Sequence, residues 1–444
     1  MSKKIRLLAA CLLASFSAAA LILVGGPVPA TRAQNSGAVA PTNTKSAAVA
    51  AATTDVLQET STLRKLPILR PVKSGAQSRA EIERMIMKNL DEDTTPQEMH
   101  ASEIALKKLG LVPQNFEYRP FIVSLLTEQV AGYYDPKEQE FFLADWIDVD
   151  GQKPVMAHEL THALQDQHFN LRRFEKWPKG DSDAELAAHA LIEGDATLAM
   201  KFYIERSPMR AIAMLRSIEA SGSSSEQIDK APRALRESLL FPYEKGLVWV
   251  NSLYKRDGNW DRVSQAFTDL PQSTEQILHV EKYYAREAPV KLSMPDIASA
   301  LGSGWKRVDY DVNGEWSYYL ILDEYLKSPA ESRRAAEGWG GDRYAVYESK
   351  NKGEVVIAQL TSWDTETDAI EFFDAYAKRT ARRYAGATET QQTPGDQAST
   401  IRTWRTTGEG TAVLERRGAR VLILEGLPDQ VGTKSLLQTI WQKA

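Results

Sequence analysis

The segment AHELTHALQDQHF, residues 157–169, carries three of the six histidines in the chain. His158, Glu159 and His162 form the pattern His-Glu-x-x-His, and His168 follows six residues after the second histidine. On a helix, residues four apart differ by about 40° in direction and roughly 6 Å in height, so His158 and His162 can share one metal ion. Glu159 then lies beside the pair, suited to taking a proton from water rather than to ligating. The flanking residues, from Val155 to Leu164, are otherwise uncharged, as a buried helix requires. The plain alternative is a chance match on a core-facing helix, against which the uncharged flanks weigh.

A third ligand must come from elsewhere. His168 has the spacing used by the metzincin group of zinc peptidases, where a glycine three residues after the second histidine lets the chain turn back to the ion. Here that position is Gln165, and nothing between His162 and His168 breaks a helix. If the helix continues, His168 points about 240° around from His162, away from the metal. With His₂Glu plus water a common catalytic zinc set, a carboxylate on the next helix is the expected partner. Glu193, in HALIEGDAT, stands between Ile192 and Gly194 in apolar surroundings where burying it without a partner is costly. His189 lies on the same helix face and is the alternative ligand. Gly194 and Ala196 suit a close approach to the motif helix.

These residues imply a set of elements. TEQVAGYYDPKEQEFFLAD (127–145) reads as a β-hairpin, with a turn at DPKEQ. Pro154 marks the start of the motif helix, and an Asp/Ser cap opens the long helix carrying Glu193. More helices are expected to about residue 285. Past about residue 295 the patterns RYAVYES, EVVIAQLTSW, TIRTWRTT, TAVLERR and RVLILEGL read as strands. An amphipathic helix, DTETDAIEFFDAYAKRTARRY, interrupts them, and a terminal helix follows. The expected fold class is α+β: a mostly helical domain with a small sheet over 63–292, then a separate α+β domain over 293–444. Residues 338–344, GWGGDRY, read as a glycine-rich turn and not as a phosphate loop.

At the N-terminus, Lys3, Lys4 and Arg6 precede an apolar run over 7–24, and VPATRA ends at Ala33. Residues 1–33 read as a cleaved export signal, with a membrane anchor over 7–24 as the alternative. The expected location is therefore periplasmic or secreted. Residues 34–62, rich in Ala, Thr, Ser and Asn, read as a disordered tether. Cys11 is the single cysteine, so the exported chain has no disulfide and no thiolate ligand. Loss of residues 1–33 moves the net charge from −5 to −9, which argues against a nucleic-acid partner.

VMAHELTHALQDQHF, then ALIEGDATLAM and FPYEKGLVWVNSLYKRDGNWDRVSQAF, resemble in order and spacing the gluzincin group of HExxH metallopeptidases. They also resemble little-characterised exported bacterial members of that group, over roughly residues 80–290. The resemblance implies Zn²⁺ held by His158, His162 and Glu193, with Glu159 as general base and a peptide or protein as substrate. It also implies an edge strand in the hairpin that would pair with extended substrate. Many thermolysin-like members carry an aspartate four residues after the glutamate; here that position is Thr197, leaving Thr197 or Asp195 as substitutes. A tyrosine before a Gly-containing helix occurs in related gluzincins. This puts Tyr243 ahead of His279, Tyr133 and Tyr134 as donor to the developing oxyanion. The competing expectation is an exported binding or scaffolding protein with a structural or vestigial metal site.

Overall fold

A computed structural model describes residues 42–443, apart from 178–179, 222–225, 351–352 and 393–398. The expected export segment lies outside the described residues. The fold class is α+β: helices make up most of the described residues up to about 300, and an antiparallel sheet dominates those after it.

The hairpin is present. Strand β2 (Gly132–Asp135) pairs antiparallel with β3 (Glu140–Ala144), and β1 (Lys73–Gln77) adds to the other side of β3 in parallel. The order β1-β3-β2 leaves β2 at an edge. The motif helix, Lys153–Phe169, begins with Pro154 in its first turn and ends at Asn170, whose left-handed backbone (φ 55°) stops it. It runs unbroken through His168. The long helix Ser182–Glu205 follows, capped by the Asp181 side chain on the Ala184 amide. The helix Arg233–Asp257 crosses it at Gly194 and Gly246. A Cβ on Gly194 would lie 2.3 Å from the Gly246 backbone, and one on Gly246 would lie 2.1 Å from the Ala190 carbonyl oxygen. The close approach expected at Gly194 is thus real, but it is made to this third helix and not to the motif helix.

The tether reading of residues 34–62 is corrected from Thr42 onward. Thr42–Arg64 is one 23-residue helix packed against the motif helix. Val49, Thr53, Val56, Thr60 and Arg64 recur at three- and four-residue spacing, and all are buried. Its apolar contacts are with the cluster containing Met156, Ala157, Leu160 and Leu164. The composition misleads because alanine is both a hallmark of low-complexity tracts and the best helix former, and small residues suffice where two helices lie close.

The C-terminal sheet has seven strands in the order β4-β5-β6-β10-β9-β8-β7, antiparallel throughout. They are β4 Trp305–Asp311, β5 Trp339–Ser349, β6 Val355–Trp363, β7 Thr388–Gln392, β8 Ser399–Arg405, β9 Thr411–Arg417 and β10 Arg420–Leu427. The expected amphipathic helix, Glu366–Arg383, buries Ala369, Phe372, Phe373, Tyr376 and Thr380. One buried apolar cluster extends from Ile82 to Ile423, joining helices of the first part to this sheet. Two polar nodes reinforce the junction. Arg379 donates to Leu109 O and to Glu425, which also accepts from Tyr376 and Tyr384. The Lys282 ammonium gathers Glu275, Glu287 and Asp364 within 2.7 Å.

Candidate metal centre

The motif helix and the long helix pack side by side, and each contributes to one buried cluster. His158 Nε2 lies 3.1 Å from His162 Nε2 and 3.1 Å from Glu193 Oε2, and His162 Nε2 lies 3.4 Å from the same oxygen. A tetrahedral ion at about 2.0–2.1 Å from each ligand would set neighbouring ligand atoms roughly 3.3 Å apart, so this triangle is the right size for one cation. Glu193 Oε1 and Glu159 Oε1, both buried, have no hydrogen-bond partner among the described residues. The donor set, two imidazoles and a carboxylate, suits zinc or a similar divalent ion. The cluster could therefore hold a metal; its identity is not fixed by these atoms alone.

The charges agree with that arrangement. Burial lowers the pKa of His158, keeping the imidazole in the neutral form that ligates. Burial opposes ionisation of Glu193, but the His162 and His158 rings outweigh it and hold the carboxyl at about 2. Burial likewise opposes a charged His162, and Glu193 overrides it, raising the ring to about 9. In the metal-free protein the Glu193 carboxylate thus draws a proton onto His162, a positive charge that a cation would supply instead. Glu159, pushed up to about 8 chiefly by burial, accepts the backbone N–H of Tyr134 on Oε2 at 3.0 Å. Edge strand β2 therefore runs directly past the expected base.

The remaining candidates are distributed as follows. His168 Nε2 lies 2.7 Å from Pro67 O, outside the cluster. It helps fasten residues 67–70 to the end of the motif helix, where Gln167 Oε1 accepts from the Leu69 and Arg70 amides and Arg70 pairs with Asp166. His189 is buried on the long helix but is not in the triangle. Tyr243, 1% exposed, has its ring centroid 6.2 Å from that of His158. The other oxyanion candidates are engaged elsewhere: Tyr133 with Gln77, Tyr134 with Asp166, and His279 with Glu315. Gln165, read from sequence only as the missing glycine, contacts His162 Nδ1 at 2.8 Å and also Ile192 O and Asp195. Its place one turn after His162 was the available signal. Arg64, just past the supposed tether, pairs with Asp195 and had no such signal.

A second group of close carboxylates, Glu275, Glu287 and Asp364, surrounds Lys282, whose ammonium already supplies the positive charge.

A family model described as a domain of unknown function, DUF8575, matches residues 301–436, which is the region of the seven-stranded sheet and does not include the cluster. No curated protein and no solved structure matches the chain.

Proposed function

We propose that this chain is an exported, zinc-dependent metallopeptidase of the HExxH, gluzincin-like kind. The observation that carries the reading is the convergence of His158 Nε2, His162 Nε2 and Glu193 Oε2 at 3.1–3.4 Å, with Glu159 next to the first ligand in the chain. When bound, a zinc ion would acidify a water and polarise the substrate carbonyl. Glu159 would take the proton of the attacking water and pass it to the leaving amine, so one carboxylate serves as base and then as acid. The edge of β2, whose Tyr134 amide touches Glu159, is where an extended peptide would pair by its backbone. Tyr243, bordering His158, is the donor assigned to the developing oxyanion.

A specific observation favours the alternative of an inactive binding or scaffolding protein. His158, Glu159, His162 and Glu193 are each at most 3% exposed, so a peptide would reach them only after the elements around them part. Zinc content by elemental analysis, combined with peptide-library cleavage, separates the two readings. Wild type should hold about one zinc per chain and cleave peptides. Glu159→Gln should keep the zinc and lose at least about 10²-fold in rate. Glu193→Ala should lose both. Zinc without cleavage would favour the scaffolding reading, and absence of zinc even after metal addition would sink the peptidase.

A further inference from the structure

Gln165 occupies a position in which its amide can face only one way. Its Nε2 lies 3.0 Å from Ile192 O and 2.9 Å from Asp195 Oδ2, two atoms that only accept hydrogen bonds. The amide nitrogen must point at them, which turns Oε1 toward His162 Nδ1 at 2.8 Å. Because that oxygen can only accept, Nδ1 must carry the hydrogen. In the neutral ring Nε2, the atom that faces His158 and Glu193, is then left with its lone pair free for a metal.

Asp195 is held in turn from outside. Its Oδ1 accepts from Arg64 Nε, and both side chains are fully buried. Arg64 is set by its neighbours: its guanidinium lies 4.4 Å over the Trp260 ring, and Nη1 donates to Ser264 Oγ at 3.2 Å. The geometry points to Arg64, Asp195 and Gln165 as a positioning relay that fixes the tautomer and orientation of His162 for metal binding, making the helix Thr42–Arg64 part of the metal centre. This rests on the metal-site reading above. Without the Asp195 carboxylate, only Ile192 O still holds the Gln165 amide nitrogen, so the orientation that presents Oε1 to Nδ1 is weakened and the reversed one, with NH₂ toward Nδ1, becomes more populated. That favours the tautomer whose Nε2 bears a hydrogen and does not ligate. Losing such a partner of a ligand histidine costs about 10–100-fold in metal affinity.

The test is zinc affinity of the full-length chain by competition with a chromophoric chelator, alongside thermal melting in excess chelator to follow the metal-free fold. Asp195→Asn and Arg64→Ala should each bind zinc about 10–100-fold more weakly than wild type. Asp195→Asn is isosteric but leaves the buried Arg64 charge without its counter-ion, so its metal-free melting should fall, and zinc affinities are compared at a temperature where every variant is folded. The double variant Gln165→Glu/Asp195→Asn restores the polarity. The new carboxylate at 165 accepts from Nδ1 whichever way it turns and the new amide at 195 donates to it, while the carboxylate's second oxygen loses the bond to Ile192 O, so part of the lost affinity should return. A packing role alone would give no such rescue. Asp195→Asn with zinc affinity within about twofold of wild type, or a double variant no tighter than Asp195→Asn, would overturn the relay while leaving the metal site intact. A wild-type chain that takes up no zinc would overturn the metal-site reading and the relay together.

Discussion

Tyr243 and His168 show how position along a helix separates residues of similar chemical promise. Tyr243 borders His158 from the crossing helix, so Tyr243→Phe is expected to keep the zinc and lower kcat by about 10²–10³-fold with little change in KM. Steady-state kinetics beside a zinc assay would check this; unchanged kcat would remove the tyrosine from the mechanism. His168→Ala should leave zinc content unchanged and cost about 1 kcal/mol of stability, because it loses only its bond to Pro67 O. At this scale the sequence was informative wherever spacing alone decides geometry. The cluster of His158, His162 and Glu193 was legible because four-residue spacing and an apolar helix constrain it, and His168 was legible as lying outside it because the helix has no break. Asp195 was legible as a substitute support, but its bonds to Gln165 and Arg64 were not, since Arg64 and Asp195 are 131 residues apart and nothing local announces their meeting.

Between elements, the crossing of the long helix with Arg233–Asp257 carries a sharp prediction. Two backbones that meet at Gly194 and Gly246 leave no room for a methyl group. Either Gly194→Ala or Gly246→Ala should cost about 1–3 kcal/mol or more and lower the melting temperature. Gly194→Ala should also weaken zinc binding, since Glu193 is its neighbour in the chain; calorimetry with a chelator titration would measure both. The motif helix was readable from Pro154 at its start and from the absence of a breaker through His168, and the hairpin from its apolar-aromatic runs and turn residues. The helix Thr42–Arg64 was not, because its buried face has Leu57 as its one buried large apolar residue among Val, Thr, Ser and an arginine. The glycine was readable as a site of close approach, but a glycine does not say which neighbour approaches.

Across the molecule, the junction of the helices with the sheet contains buried carboxylates that answer to pH. Asp342 accepts from the Asn313 and Gly314 amides and the Trp339 indole, yet burial still pushes it up to about 6. A folded-state value above the ordinary 3.8 means that its contribution is fully present below about pH 4 and is lost as pH rises through 6. The loss is about 3 kcal/mol at most. Asp342→Asn keeps an acceptor for the Gly314 amide and the Trp339 indole but sets its NH₂ against the Asn313 amide, so it should be less stable than wild type at pH 4, and its melting temperature should change less between pH 4 and 7. Equal slopes for the two proteins would refute this. Because one apolar cluster runs from Ile82 to Ile423, heating should give a single unfolding transition rather than two. The long reach of Arg64 also bears on the order of assembly. Contacts so distant in sequence form late in folding, because the loop they close must first be brought together. The helix Thr42–Arg64, the first among the described residues, must wait for Asp195 and for Trp260, which stacks on Arg64, before it can settle. On the proposed function, a hydrolytic centre built this way stays inert while the chain is unfolded in transit, and comes into being only after both have arrived where folding is completed.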